Sequence, residues 1–356
     1  MEIIKIAGTA DWKLKAKNIL DKNGIIAYPT DTCYALGCYS DDSVAITKLL
    51  QFKERTLGRA IPIAVSNPQM AQDFIEVSDA VLAAFKNFTP GAVTIVSKSK
   101  NMVDSRLPAE NGTLAIRIPN FAETLELIEL LGKPLITTIA SDGSFMPYSV
   151  EHIIDRLPET KLKIIDAIID PGYELPHNPP STVLDFSSEE LVVHRSGRIN
   201  PLELENLKDF KAKNVDETIL IGQEMLKLVS SYASPIVILL DGQMGAGKTH
   251  LTKGIAQSLG IDKVVKSPTY NYVNEYKIEN RGKLIHIDAW RIKEKDDLIR
   301  LKLKDYFQPE NVVVIEWSAV ISALDPKFFD DVEYYLCEIV VEGDGRKFKL
   351  YRKLST

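Results

Sequence analysis

Apolar positions in this chain fall into short runs separated by stretches of helical spacing, and this alternation starts twice. Between residue 3 and about residue 200, runs at Ile25 to Tyr28, Ile61 to Val65, Val93 to Ser97, Leu114 to Ile118, Leu135 to Ile139, Leu162 to Ile165 and Leu191 to His194 read as strands. The stretches between them have helical spacing. "SVAITKLLQF" sets Val44, Ile46, Leu49 and Leu50 on a helical stripe, and "ETLELIELLG" stops at Gly132 with Pro134 beyond. Strand and helix in alternation predict an α/β sheet with helices across it. From about residue 217 the pattern restarts: helix over 217–232, strand over 236–242, helix over 248–260, strand over 283–288, helix over 296–307 and strand over 311–317. Two last runs, 332–341 and 346–354, flank "EGDGR" and read as a hairpin. The charged stretch around 200–216 reads as a short helix and linker. Two domains follow, 1–200 and 217–356, joined by a charged linker at 201–216.

Length agrees with this division, because 356 residues exceed what one hydrophobic core ordinarily holds. With 45% hydrophobic and 26% charged residues, both parts are expected to be globular. No apolar run has the length of a membrane span, and "MEIIKIAGTA" lacks the basic-then-apolar order of a secretion signal, so a cytoplasmic protein with no membrane partner is expected. Cys33, Cys38 and Cys337 have neither paired nor metal-ligand spacing and read as reduced thiols. Net charge is −6, with −5 over 1–200 and −1 over 201–356. Neither half is a basic slab, so tight free-standing binding to nucleic acid is not expected from the charge balance, and a grip on it would come from a local basic groove or from partners.

"LLDGQMGAGKTH" carries the sharpest chemistry. Gly242, Gly247, Lys248 and Thr249 fit G-x-x-x-x-G-K-[ST] between an apolar strand and a helix, with Gly245 inside the loop. Glycines let backbone N–H groups turn toward phosphate, Lys248 reaches the β and γ phosphates of a nucleotide, and the Thr249 hydroxyl suits magnesium. Asp288 ends "LIHID" and Glu316 ends "VVVIEW", each at the C-terminal end of a strand. There Asp288 is placed to hold magnesium through water. Glu316 is placed to orient the attacking water or act as base, or else to serve as a helix N-terminal acid. Ser267, Pro268 and Thr269 form a polar loop suited to sensing a γ-phosphate, or a simple turn into a strand.

"GQMGAGKTHLTKGIA", "VKSPTYNYVNEY", "HIDAWRI" and "VVVIEW", in this order, resemble the TsaE family of small P-loop ATPases over residues 217 to 356. The resemblance implies ATP hydrolysis in support of the TsaD and TsaB proteins, which place threonylcarbamoyl on the adenosine following the tRNA anticodon. It implies the same roles for Lys248, Thr249, Asp288 and Glu316, with Thr269 in a switch-like loop. Trp290 stands where the family often has Tyr, Trp317 matches the family's Glu-Trp pair, and neither alters the chemistry expected.

In the first half, "AYPTDTCYALGC" brings Thr30, Asp31 and Thr32 into a polar loop, and "QFKER" sets Lys53 and Arg55 two apart. Two cations beside a hydroxyl-rich loop fit an anion site or solvated surface charge. "PTDTCYALGC", "KER", "FTPGAVTIV", "LAIRIP", "PSTVLDF" and "HRSGRI" occur in the order of the TsaC/YrdC family over residues 1 to about 200. This resemblance implies a twisted open α/β domain with a concave basic cavity. It implies synthesis of threonylcarbamoyl-AMP from L-threonine, bicarbonate and ATP, with release of pyrophosphate. Lys53, Arg55 and Arg195 would then stabilise the triphosphate, Arg117 and Thr30 would orient threonine, and Ser181 would touch nucleotide. Arg117 lies inside an apolar strand, where a lone charge is costly, so a ligand or acidic neighbour is expected beside it.

One segment departs from the family: "KPLITTIASDG" carries Ile139 and Ser141 where members have Ser and Asn. Ile offers no hydrogen bond, and each bond lost to a charged phosphate costs about 1.5 to 3 kcal/mol, or a tenfold to hundredfold effect. The expected protein serves one pathway from both halves, with ATP and Mg2+ as cofactors and tRNA reached only indirectly. Tethering keeps the synthase near the consumer of its unstable product, since short linkers give effective concentrations of about millimolar. Two alternatives stand beside it: a regulatory ATPase whose first half is an inactive nucleotide-binding scaffold, and a P-loop kinase with an RNA-binding module. His152, His177, His194, His250 and His286 lack metal-ligand spacing and read as structural or surface residues.

Overall fold

The computed structural model describes residues 1–54, 60–188, 191–195, 197, 203–229, 235–269, 271–279, 281–325 and 327–354. The chain divides into two compact units, 1–199 and 200–356.

The first unit holds two sheets with helices packed on them. One runs in the spatial order Glu2–Lys5, Ala167–Asp170, Ile26–Tyr28, Ala35–Gly37 and Thr138–Ile139. The other runs Val192–Arg195, Thr182–Asp185, Val93–Lys98, Thr113–Arg117, Ile63–Ala64 and Leu135–Ile136. Parallel and antiparallel pairs are mixed in both, as in an open α/β architecture. The single strand expected at 135–139 splits between the sheets. Thr137, at the split, donates its backbone N–H to the Pro62 carbonyl at 2.8 Å. Helix starts are marked by side-chain caps: Asp42 accepts from the amides of Val44 and Ala45, and Ser78 accepts from Val81. The strand expected at 162–165 is instead the end of the helix Glu159–Leu162 and a turn, with the strand displaced to Ala167–Asp170. Pro158 and Glu159 start a helix in front of the apolar run, which an apolar count alone does not register.

The second unit is one seven-stranded sheet in the order Leu204–Ala212, Gly345–Lys353, Tyr335–Glu342, Ile236–Gly242, Val312–Glu316, Lys283–Asp288 and Val273–Lys277. Its four central strands are parallel and its edges antiparallel. The expected hairpin is present. The stretch assigned to a charged linker and short helix is not: Leu204–Ala212 is an edge strand paired with Gly345–Lys353, and the helix Val215–Val229 follows almost at once. Leu204, Phe210 and Ala212 are buried, while the charged residues around them stay largely on the outside. A register shift between Asn206 and Lys208 interrupts the alternation, so the charge is more visible in the sequence than the strand. Charged edges also discourage pairing with other chains. Parallel pairing of Ile236–Gly242, Val312–Glu316 and Lys283–Asp288 brings Gly242, Glu316 and Asp288 to the same end of the sheet, where α/β folds place ligands.

Candidate active sites

A cavity of about 730 Å³ opens in the first unit. That is within the size range of small-ligand sites. It brings together four residues singled out by the sequence: Thr30, Arg117, Ser181 and Arg195. Thr30 spends its hydroxyl inside its own loop, donating to the Cys33 carbonyl at 2.6 Å and accepting from the Thr32 and Cys33 amides. Arg117, only 8% exposed, donates to Thr32 Oγ1 at 2.9 Å and to Asp31 Oδ1 at 2.8 Å. Asp31 is the acidic neighbour that burial of Arg117 requires. Arg117 Nε is buried without a hydrogen-bond partner among the described residues, so the guanidinium keeps a donor in reserve.

Arg195 donates from Nε to the Ser181 carbonyl at 2.8 Å and from a terminal nitrogen to Ser181 Oγ at 3.1 Å. Ser181 Oγ also shares a 2.8 Å hydrogen bond with Thr94. Burial, and then the like charge of Arg117, push the Arg195 guanidinium below its ordinary range. Two cations that repel one another along one cavity form a site that an anion relieves. Lys53 stands beside this site, its ammonium held by the carbonyls of Ile139 at 3.0 Å and Ser141 at 2.8 Å. Those contacts use backbone oxygens and do not depend on which side chains occupy 139 and 141. Ile139 lines the cavity, while Ser141 is buried and accepts from the Gly143 amide at 3.1 Å. Arg55 lies outside the described residues.

The second site forms at the strand ends of the other unit. Gly242 ends its strand, and Gly245 and Gly247 have φ of 74° and 107°, backbone that side-chain-bearing residues rarely adopt. The helix Lys248–Ser258 starts directly after them, so Lys248 and Thr249 stand in its first turn. Lys248 is 5% exposed and bonds the carbonyls of Gly242 at 2.7 Å and Gln243 at 2.9 Å. Its ammonium sits 3.4 Å from the centroid of the Trp317 ring. Trp317 thus touches Lys248 directly, as a cation–π platform beneath its buried ammonium. Burial pulls the Lys248 ammonium down to about 8, against the opposing pull of Glu316, Asp241 and Asp288.

Thr249 donates to Glu316 at 2.9 Å. Ser267 and Thr269 donate to Asp288 Oδ2 at 3.0 and 2.8 Å, and the Trp290 amide donates to Oδ1 at 3.0 Å. All of the predicted residues of this half thus meet in one constellation. His286 was not among them: it is fully buried, and its Nε2 lies 2.8 Å from Glu316 Oε1. Period-two spacing puts His286 and Asp288 on one face of their strand, which was the available signal.

Folds and sites together define a two-part nucleotide-site protein: a YrdC-like open α/β unit with a cation-lined cavity, and a P-loop NTPase unit. The chain belongs to the Sua5/YciO/YrdC family, described as "Telomere recombination", through residues 18–197, and to the TsaE family, described as "Threonylcarbamoyl adenosine biosynthesis protein TsaE", through residues 212–347. It is a fusion of the two. The first half is 31% identical to "Uncharacterized protein YciO" of Escherichia coli over 51% of this chain and 87% of that protein. The crystal structure of that YciO superposes with a TM-score of 0.51, over 56% of this chain and 96% of that one, at 30% identity. The first half is also 25% identical to a "Threonylcarbamoyl-AMP synthase" of Thiobacillus denitrificans, over 49% of this chain and 90% of that protein. The second half is 39% identical to "tRNA threonylcarbamoyladenosine biosynthesis protein TsaE" of Haemophilus influenzae, over 31% of this chain and 70% of that protein. Among the described residues, no helix is long and apolar enough to cross a membrane.

Proposed function

We propose that both units serve tRNA threonylcarbamoyladenosine biosynthesis, the first by making threonylcarbamoyl-AMP and the second by hydrolysing ATP in support of TsaD and TsaB. The observation that carries this reading is the presence, in one chain, of two phosphate-suited sites of unrelated build. One is the Arg117–Arg195 cavity and the other is the P-loop at 242–249.

In the first unit, threonine's nitrogen and bicarbonate form a carbamate, whose oxygen attacks the α-phosphate of ATP and displaces pyrophosphate. Negative charge accumulates at every step, and fixed cations offset it without reorganising. Arg117, oriented by Asp31 and Thr32, receives the threonine carboxylate; Thr30 holds the shape of the loop that carries both partners. Arg195 and Ser181 serve the nucleotide and Lys53 the triphosphate, and the matching role for Arg55 rests on the sequence motif alone. In the second unit, the P-loop amides and Lys248 grip the β and γ phosphates, Thr269 senses the γ-phosphate from its place on Asp288, and Glu316 orients the attacking water. Thr249 and Asp288 present hard oxygens of the kind magnesium takes and would hold that ion, which supplies charge neutralisation between phosphates.

The test is direct. Given ATP, L-threonine and labelled bicarbonate, the chain should yield pyrophosphate and labelled threonylcarbamoyl-AMP. The presence of Ile139 in the cavity wall supports a second reading, a first unit that binds nucleotide without synthesis. ADP and phosphate as the only products would establish that second reading.

A further inference from the structure

The edge of the second sheet in the first unit contains an irregularity. Strand Val192–Arg195 pairs antiparallel with Thr182–Asp185, with Val193 opposite Leu184 and Arg195 opposite Val183. His194 is thus the extra residue of a β-bulge. In a regular strand, neighbours 194 and 195 would face opposite sides; here both line the cavity, together with Ser181, Val183 and Asp185. The bulge turns an imidazole into the same space as Arg195 and Arg117. That imidazole is held in place. His194 Nε2 lies 2.8 Å from Asp185 Oδ2, and the other oxygen of Asp185 accepts from the Ser187 amide at 2.8 Å. Burial raises the Asp185 carboxyl, but its bonds to Ser187 and His194 outweigh this and hold it below the ordinary carboxylate range. An ionised aspartate at Nε2 fixes the tautomer that leaves Nδ1 as the acceptor.

Building on the synthase reading above, we propose that the His194–Asp185 pair is the proton acceptor for carbamate formation in the cavity. Threonine arrives as an ammonium ion. Ammonium and bicarbonate together give carbamate, water and one proton: the N–C bond forms, a C–O bond of bicarbonate breaks, and its oxygen leaves as water. The remaining proton passes to His194 Nδ1, and the imidazolium is stabilised by Asp185. Other charged or titratable groups facing this space among the described residues do not fit the task. Arg117 and Arg195 are cations, Asp185 is committed to the imidazole, and burial pushes the Cys33 thiol up to about 11. Lys53 is tied to the carbonyls of Ile139 and Ser141. The His194 side chain is 53% exposed, so the proton it takes has a route to water.

The experiment measures threonylcarbamoyl-AMP formation by the full chain across pH, for the parent, His194→Gln and Asp185→Asn. His194→Gln should lower kcat by about 100-fold, the usual weight of a general base, while KM for threonine and ATP stays within about threefold. The parent rate should fall on the acid side as one group protonates; the His194→Gln rate should climb tenfold per pH unit and recover in part with added imidazole. Asp185→Asn should lower kcat by about tenfold or more with the same KM pattern. Product formation by the parent, together with a His194→Gln variant that keeps its rate and pH profile, would overturn the proton acceptor and leave the synthase reading intact. A parent that makes no product would overturn both. Unchanged threonine binding by calorimetry shows that each variant retains the cavity, and loss of kcat together with that binding would assign His194 to structure instead.

Discussion

Replacing Gly254 with alanine tests how the second unit holds its P-loop. Gly254 lies where helix Lys248–Ser258 passes helix Val215–Val229. A Cβ there would stand 2.0 Å from the Ile219 carbonyl oxygen, 2.9 Å from its carbon and 3.1 Å from Gly222 Cα. These are backbone atoms of the facing helix, with no side chain to swing away, and ordinary contact at 3.4 Å demands that the helices part by more than an ångström. Overpacking of this kind costs about 1 to 3 kcal/mol, and parting the helices loses apolar contact along the crossing. Against this, alanine gains about 1 kcal/mol of helix propensity over glycine. A 2.0 Å approach to backbone puts the overpacking at the upper end of that range, so the balance is a loss of about 2 kcal/mol, or about 4 to 8 °C in Tm for a unit of this size. Because Lys248 and Thr249 open the displaced helix, ATP hydrolysis should fall along with stability. Calorimetric unfolding and a phosphate-release assay read both, with Ser258→Ala on the same helix as control. A Gly254→Ala protein as stable and as active as the parent would show that the crossing is not close packed.

Three further outcomes follow from the same geometry. Lys248 titrates near 8 when folded and at 10.5 as a free side chain, so between these values the unfolded chain binds more protons and stability of the second unit should rise with pH. Urea unfolding of the parent against Lys248→Met across that window should isolate the slope, and identical slopes would contradict the burial argument. Asp31→Ala leaves Arg117 buried beside Thr32 without its carboxylate, so stability of the first unit should drop by about 3 kcal/mol in denaturant titration, with Asp31→Glu restoring part of it. Ile139→Ser should raise threonylcarbamoyl-AMP synthesis about tenfold by returning a hydroxyl to the cavity wall, whereas Ser141→Asn should not, because Ser141 is a buried turn cap; product assays on both variants decide.

Much of the second site was legible because its residues lie at the ends of apolar strands and around a glycine loop. Gly242, Asp288 and Glu316 needed only parallel pairing to meet. His286 and Trp317 were harder to assign: period-two spacing sets His286 on the strand face of Asp288, but its hydrogen bond to Glu316 and the Trp317 ring beneath Lys248 are contacts between elements that spacing along one strand does not reveal. In the first unit the need for a ligand or an acidic neighbour beside Arg117 was readable from its place inside an apolar strand, although Asp31 was identified only by the fold. The edge strand Leu204–Ala212 and the His194 bulge share one cause of illegibility. An irregular register erases the two-residue alternation by which strands are recognised.

Two nucleotide sites of unrelated build in one chain should each bind ATP separately. Titration calorimetry of the intact protein with a non-hydrolysable ATP analogue, in the presence of threonine, should give two moles bound per mole of chain, and Lys248→Ala should leave one. A single mole in the parent, abolished by Lys248→Ala, would contradict it.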